Sequence, residues 1–450
     1  VGRGLSSRPT REEGFRAGSE IRPIVLDLAL IRDETEKVRA ALLKRMDEVD
    51  LDTILQLDRE SRALATRIEA LRAQRNDLSR AIGRARGAGE DSAALQEEVV
   101  RTNREVDQLE PARADAEKRL SELLAQLPNM PADNVPAGGK EANQVVRTWG
   151  EKPSLPPNAL DHVELSKRLG IVDYERGTKL GGSGFWLYSG IGAALEWSLL
   201  DWFNRTHRAD GYEFFLPPHL LIDECGYAAG QFPKFYDDVF HLRTEPHERE
   251  RFLLPTAETA ILNVYRDEIL PDERLPIKAF AYTPCYRREA GSHRTDERGT
   301  IRGHQFNKVE MFQFTRPEEG PAALEELLGK AESLMQALGL HYRVSLLAAG
   351  DASASMALTY DVEVWIPSIN QYKEVSSVSW ASDYQARRAK IRFKREGSKR
   401  TEFVHTLNGS GLATSRLVPA LLEQHQRPDG GVTVPLPLRP WLGVDVITPK

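Results

Sequence analysis

The apolar positions of this 450-residue chain change their period from one stretch to the next, and each period predicts a different kind of element. Within Leu51 to Gly83, Leu57, Leu64, Ile68, Leu71, Leu78 and Ile82 recur at steps of 7, 4, 3, 7 and 4, which is a heptad seam. The segment GRARGAGED carries three glycines and is expected to break that helix. A second seam follows at Leu95, Val99, Val106, Leu109, Ala116, Leu120, Leu123 and Leu127. Two seams joined by a glycine turn predict an antiparallel helical hairpin over about residues 51–127, each arm about 50 Å long at ~1.5 Å per residue. One narrow apolar stripe cannot fold such arms into a globular core, so the hairpin must project into solvent.

Before the hairpin, Ile24–Val49 reads as a short apolar segment and then an amphipathic helix. After it, Pro128–Pro157 is rich in Pro, Gly and Asn and reads as a linker. Farther on, strands and helices alternate without regular βαβ spacing, which predicts an antiparallel sheet flanked by helices, an α+β architecture. GFWLYSG reads as a strand, and GAALEWSLLDWFNRTHRADGYEFFLPPHLL as an amphipathic helix running into a strand that ends at Pro217 and Pro218. AFAYTPCYRRE and HQFNKVEMFQF flank a polar middle and predict a long β-hairpin. TYDVEVWIPSINQYKEVSS predicts two strands joined at SIN, and HTLNGSGLATSRLVPALLEQHQ a short strand, glycines and a helix.

Composition narrows the function classes. Hydrophobic residues at 40% and charged residues at 28% describe an ordinary folded protein, and a net charge of −6 argues against a chain that is basic throughout. It leaves room for a local basic face that binds nucleic acid. Two cysteines, Cys225 and Cys285, are too few for a disulfide framework, so a reducing compartment is expected. No apolar run reaches the ~20 residues of a membrane span, and residues 1–22 lack the apolar core of a secretory signal and read as a disordered extension. The glycines at 181–184 and 190–192 complete no GxGxxG and precede no Lys-Ser or Lys-Thr, so they make a weak nucleotide loop.

The candidate chemistry concentrates in Pro284–Glu310. It holds Arg287, Arg288, His293, Arg294, Arg298, Arg302, His304 and Lys308, with Glu289, Asp296 and Glu297 among them and Glu310 at the end. If both segments are regular strands, Arg287 and Glu289 share a face, as do His304, Phe306, Lys308 and Glu310. A guanidinium suits a phosphate, an aromatic ring can stack on a base, and a carboxylate can hold an amino group.

RxEAGS and HQFxKVE in this stretch resemble the second signature motif of class II aminoacyl-tRNA synthetases, the seryl-tRNA synthetases in particular. The resemblance extends to LDLxLIR near Ile24, to VRxWGE in the linker, and to VPLPLRPWLG at the end. It implies ATP-dependent activation of L-serine and its transfer to tRNA(Ser) by a cytoplasmic homodimer with no membrane attachment. The helix and strand around Trp197 and Trp202 would form the dimer interface. The implied division is an N-terminal tRNA-binding domain at 23–133, a linker at 134–159 and a catalytic domain at 160–450.

The motifs carry roles over residue by residue. Arg287 would clamp the α-phosphate and the substrate carboxylate. Arg288, Glu289, Arg302, Gly303 and Phe306 would bind ATP, with Glu289 at the adenine amino group and Phe306 stacked on the ring. FLLPTAETAIL resembles the family's TxE loop, so Thr256, Ala257 and Glu258 would contact serine, as would Glu310. Read alone, Thr-Ala-Glu is a helix N-cap with its acid in the first turn. Glu374, Val375, Ser376 and Ser377 match ExSS and would lie at the ATP phosphates, Glu374 and Ser377 as ligands of Mg2+. Asn408 and Ser410 would read the serine hydroxyl, and Arg416 would face the γ-phosphate.

In the arm, eight arginines stand against three acids between Arg59 and Arg86, while the returning helix holds ten acids against five bases. Ordinary cross-helix ion pairing explains this as well as an RNA-gripping face does. The resemblance favours the second, with Arg72, Arg75, Arg80 and Arg84 on tRNA. Where the family usually reads Cys-Ser-Asn the chain has Val378, Ser379 and Trp380, and it also has Arg294 for a glycine and Thr300 for a leucine. These departures leave open a secondary-metabolism paralogue that supplies activated serine or resists a serine-analogue antibiotic.

Overall fold

In this computed structural model, residues 26–245, 248–289 and 298–449 are described. The extension expected at 1–22 lies outside them, as do His293 and Arg294 in the hairpin tip. The two seams form helices α1 (Leu51–Ala88) and α2 (Ala93–Gln126). Helix α1 does not break at Gly83. It continues through Gly83 and Gly87 and ends at Gly89, whose φ of 73° is the left-handed conformation of a helix stop. A glycine inside a helix costs only about 1 kcal/mol, which the flanking hydrogen bonds absorb. The arm is therefore about 57 Å long, at ~1.5 Å per residue over its 38 residues. Its base is the thick part: Ile31, Val38 and Leu42, from two short helices at Leu28–Asp33 and Thr35–Leu42, pack with Leu51, Ile54, Leu57, Leu120 and Leu124. Farther out only Ile68, Leu71 and Val106 form a buried cluster, the narrow seam that the heptads predict.

The rest of the chain is built on an eight-stranded sheet. In chain order its parts and neighbours are β1 (Gln144–Trp149), α3 (Ile191–Ala209), β2 (Glu213–Phe215), α4 (Ala257–Asn263), β3 (Ile277–Tyr286), β4 (Gln305–Thr315), α5 (Gly320–Ala337), β5 (Tyr342–Leu346), β6 (Leu358–Ile366), β7 (Gln371–Ser382), α6 (Tyr384–Ala389), β8 (His405–Ala413) and α7 (Thr414–Gln424). The strand order is β1-β5-β6-β7-β8-β4-β3-β2, antiparallel except where β2 runs parallel to β3. Strand β4 shows why the sheet is buried on both faces. Val309 and Met311 point into a core shared with α3, α5 and α7, whereas Phe312 and Phe314 pack with α4 and α6. The stretch read as a linker is not free chain, because its residues Gln144–Trp149 form the edge strand β1, paired with β5.

The arm is tied to the sheet by polar contacts at its root. The buried Asn129 donates from Nδ2 to the Ser355 carbonyl at 2.9 Å and to the Ala381 carbonyl at 2.8 Å. Arg45 donates to the carbonyls of Ala354 and Met356. Replacing Asn129 with alanine leaves two buried carbonyls without a donor and should lower stability by about 1–3 kcal/mol. Urea unfolding should show this as a lower midpoint with an unchanged slope.

Candidate active site

A cavity of about 470 Å³ opens over β4, β7 and β8, a size suited to a small-molecule ligand. Its acidic wall starts at Thr256, the N-cap of α4, whose Oγ1 accepts from the Glu258 amide at 3.4 Å and from Lys308 Nζ at 2.7 Å. Thr256 is thus both a helix cap and a cavity residue. Glu258, 8% exposed, accepts from Gln385 Nε2 at 2.6 Å and from Asn408 Nδ2 at 3.4 Å. Glu310, 0% exposed, accepts from Lys308 at 2.5 Å, Asn408 at 3.0 Å and the Ser410 hydroxyl at 3.3 Å. Burial, and then the Glu310 charge, push the Glu258 carboxyl up to about 7 against the opposing pull of Gln385, Lys308 and Arg287.

The basic wall faces it. Arg287 lies just past β3, donates to the Pro255 carbonyl at 3.3 Å, and sits 5.3 Å over the Phe306 ring. Strand β3 ends at Tyr286, and Glu289 has a φ of 50°, so Arg287 and Glu289 reach the cavity from a turn and not by strand alternation. Arg302 donates to Glu289 at 2.8 and 2.5 Å. Gly303 lies against Trp186 and the Gly184 carbonyl, which an added Cβ would meet at 2.1 and 2.7 Å, so only glycine fits there. Gly184 itself has a φ of 82°, and a Cβ there would meet the His304 ring at 2.6 Å, which accounts for this glycine better than a nucleotide loop does.

Glu374 and Ser377 are three residues apart, and in a regular strand they would face opposite ways. A bulge intervenes: the two steps from Glu374 to Ser376 pair with the single step from Glu363 to Val362, and both side chains line the cavity. Arg416, in the first turn of α7, donates to the Glu374 carbonyl at 2.9 Å and carboxylate at 3.2 Å. Desolvation by the cavity walls would raise Glu374, but Arg416, Arg287 and Lys308 outweigh it and hold the carboxyl below its usual range. Two hard oxygen donors on one wall fit a magnesium ion.

Thr256, Glu258, Arg287, Glu289, Arg302, Gly303, Phe306, Glu310, Glu374, Val375, Ser377, Asn408, Ser410 and Arg416 therefore line one cavity. Three expected site residues do not. Ala257 is buried behind it, Ser376 turns its hydroxyl to the Ser410 carbonyl at 2.6 Å, and Arg288 is exposed and bonds the Asp237 carbonyl. Sequence reasoning gave no role to Lys308 or Gln385. Lys308 stood in the right motif with the right parity, whereas Gln385 sits in a six-residue helix with no local signal.

Among the described residues, the departures from the family motif fall outside the cavity. Trp380 packs against Gly320 and donates from Nε1 to His405 at 3.3 Å, and Val378 is buried against Gly409. Thr300 donates to the Ser415 carbonyl at 2.8 Å, tying the end of the hairpin loop to α7. Ser379, which keeps the serine of the usual Cys-Ser-Asn, lines the cavity, whereas the exchanged Val378 and Trp380 do not. On the arm, Arg72 pairs with Glu110 at 2.6 Å across the two helices, as Arg67 does with Glu105 at 2.5 Å, and Arg80 pairs with Asp77. Part of the arginine excess is thus ordinary helix pairing. Arg84 is exposed.

Residues 25–131 match the family model described as seryl-tRNA synthetase N-terminal domain, and 240–425 the tRNA synthetase class II core domain (G, H, P, S and T). Serine–tRNA ligase 2 of Clostridium acetobutylicum is 55% identical over 94% of this chain and 100% of its own length. The serine–tRNA ligase of Desulfitobacterium hafniense is 44% identical with the same coverage. Among solved structures, the seryl-tRNA synthetase of Pyrococcus horikoshii complexed with ATP superposes with a TM-score of 0.87 at 32% identity, covering 94% of this chain and 100% of that one. The cytoplasmic enzyme of Naegleria fowleri in complex with AMP gives 0.86 at 25%, covering 94% and 99%. With both domains matched and the cavity residues in one place, the chain belongs to the seryl-tRNA synthetase family, the serine–tRNA ligases of the class II aminoacyl-tRNA synthetase fold.

Proposed function

We propose that the cavity joins L-serine to ATP as seryl-adenylate and passes the seryl group to tRNA(Ser). The observation that carries this reading is one cavity with two buried carboxylates on one wall and three arginines on the other. A serine carboxylate oxygen attacks the α-phosphorus, the bond to the β-phosphate oxygen breaks, and pyrophosphate leaves. A tRNA terminal hydroxyl then takes the acyl group and AMP departs. Arg287 draws the two reacting groups together and neutralises charge as it develops, which is where the rate arises. Phe306 stacks on the adenine, Glu289 takes its amino group, Arg302 and Gly303 lie along the phosphates, and Arg416 faces the far end of the triphosphate. Glu258, Glu310 and Thr256 hold the ammonium of serine, while Asn408 and Ser410 meet its hydroxyl. Alanine would leave those buried groups unpaired, a discrimination of ~10⁴. Glu374 and Ser377 would hold Mg2+, which when bound neutralises phosphate charge.

The arm, within an N-terminal unit of 23–133, would grip the tRNA, and the unit of 160–450 would carry the reaction. A cytoplasmic homodimer belongs to this reading, and its interface would use α3 and the edge strand β2, which pack on each other: Trp197 on α3, Phe214 on β2, and Leu216 and Leu220 after it in the chain are exposed. Among the described residues no helix is long and apolar enough to cross a membrane.

Three outcomes are expected. Arg287→Ala should lower kcat of serine-dependent ATP–pyrophosphate exchange by about 100-fold or more, ~3 kcal/mol, with the fold intact by circular dichroism. Glu258 must be ionised to accept an ammonium ion and carries its proton below pH about 7, so kcat/KM for serine should fall as pH drops through that value and level off above it. Glu258→Gln should remove this limb from the profile. Arg75→Glu combined with Arg84→Glu should reduce kcat/KM for tRNA by about tenfold or more in aminoacylation, while exchange without tRNA continues at its normal rate.

A further inference from the structure

Glu196 on α3 is 5% exposed and does not line the cavity. Its Oε1 accepts from Asn307 Nδ2 at 2.9 Å and from the Thr414 hydroxyl at 2.5 Å. These two partners belong to different parts of the candidate site. Asn307 lies on β4 between Phe306 and Lys308, and alternation turns it to the opposite face of the sheet from those two cavity residues. Thr414 opens α7, whose next residues, Ser415 and Arg416, line the cavity. The Thr414 hydroxyl also lies 3.2 Å from the Asn307 carbonyl, and Tyr282 donates to Asn307 Oδ1 at 3.1 Å. The neighbouring residue Trp197 is half exposed and packs its ring 5.6 Å from Tyr282. One carboxylate oxygen thus grips, from behind, the strand that presents Phe306 and the helix start that presents Arg416.

We infer that Glu196 is a positioning residue for the nucleotide: it fixes the spacing between the ring that stacks on the base and the guanidinium that meets the far phosphates. The inference rests on the assignment of ATP to this cavity. Serine is held by Thr256, Glu258, Glu310, Asn408 and Ser410, none of which bonds Glu196, so its binding should be independent of this carboxylate. Glutamine in place of Glu196 keeps an oxygen able to accept both bonds, while leucine removes it. Burial pushes the Glu196 carboxyl above its usual range despite the bonds from Thr414 and Asn307, which makes the neutral isostere an apt replacement.

The test is steady-state ATP–pyrophosphate exchange on the full chain, with KM for ATP and for serine measured separately. Glu196→Leu should raise KM for ATP about tenfold and leave KM for serine within about twofold, and Glu196→Gln should stay within about threefold of wild type for both. Thr414→Val, which deletes one donor and keeps the shape, should move KM for ATP in the same direction and serves where Glu196→Leu fails to fold. Equal changes in the two KM values, no change in a folded leucine variant and in Thr414→Val, or a glutamine variant as impaired as leucine would overturn the inference. If wild type itself supports no serine-dependent exchange, the assignment of the cavity fails and the inference goes with it. Exchange by wild type with unaltered variants overturns the inference alone.

Discussion

Two carboxylates buried in one wall of one cavity are the constraint to which the rest of the site answers. Moving a charge out of water costs several kcal/mol unless partners are fixed around it. Lys308 bonds Glu310 and Thr256, Gln385 bonds Glu258, and Asn408 reaches both acids. The compensation is incomplete, because Glu258 is still held near neutrality by burial and by its acidic neighbour. In the proposed reading, the ammonium group and hydroxyl of serine would complete the set, and a ligand that lacks either would leave a buried group unpaired. Selectivity would then come from the same desolvation that makes the buried acids costly.

The antiparallel sheet is what allows acidic and basic walls to face each other across one cavity. Buried on both faces, β4 carries Phe306, Lys308 and Glu310 toward the cavity, while Asn307 anchors its back to α3. The bulge in β7 brings Glu374 and Ser377 to one side, a change of parity that one extra residue supplies. Arg416 arrives from the first turn of α7, where the helix start and its bond to Glu374 set its direction.

The arm follows different physics. Its seam is too thin to make a core, so it is a rod whose stability is concentrated at the base, where the short helices thicken it. Cross-helix pairs such as Arg67 with Glu105 and Arg72 with Glu110 are solvent-exposed and add little stability, but they use up arginines that a count of charges would assign to RNA. The root is held to the sheet by Asn129 and Arg45, whose side chains both bond main-chain carbonyls, and by the ion pair of Asp27 with Arg387.

Local periodicity carried a large share of the architecture. Heptads spelled out the two arm helices, alternation marked β3, β4, β6 and β7 but not β5, and the wording of the motifs named most of the residues that meet in the cavity. Those features are legible because they depend on neighbours within a turn or a strand. Tertiary structure decided the rest. Gly83 and Gly87 stay helical because their hydrogen bonds outweigh a small propensity cost, and Gln144–Trp149 is a strand because β5 offers it an edge. Ser376 turns away and Glu374 turns in because pairing with β6 shifts register, and Trp380 faces α5 and not the cavity for the same reason of parity. Gln385 and Glu196 matter only through partners that lie 21 to 218 residues away in the chain. The direction of a side chain is set by what its strand or helix packs against, and that is information the sequence holds only through the fold.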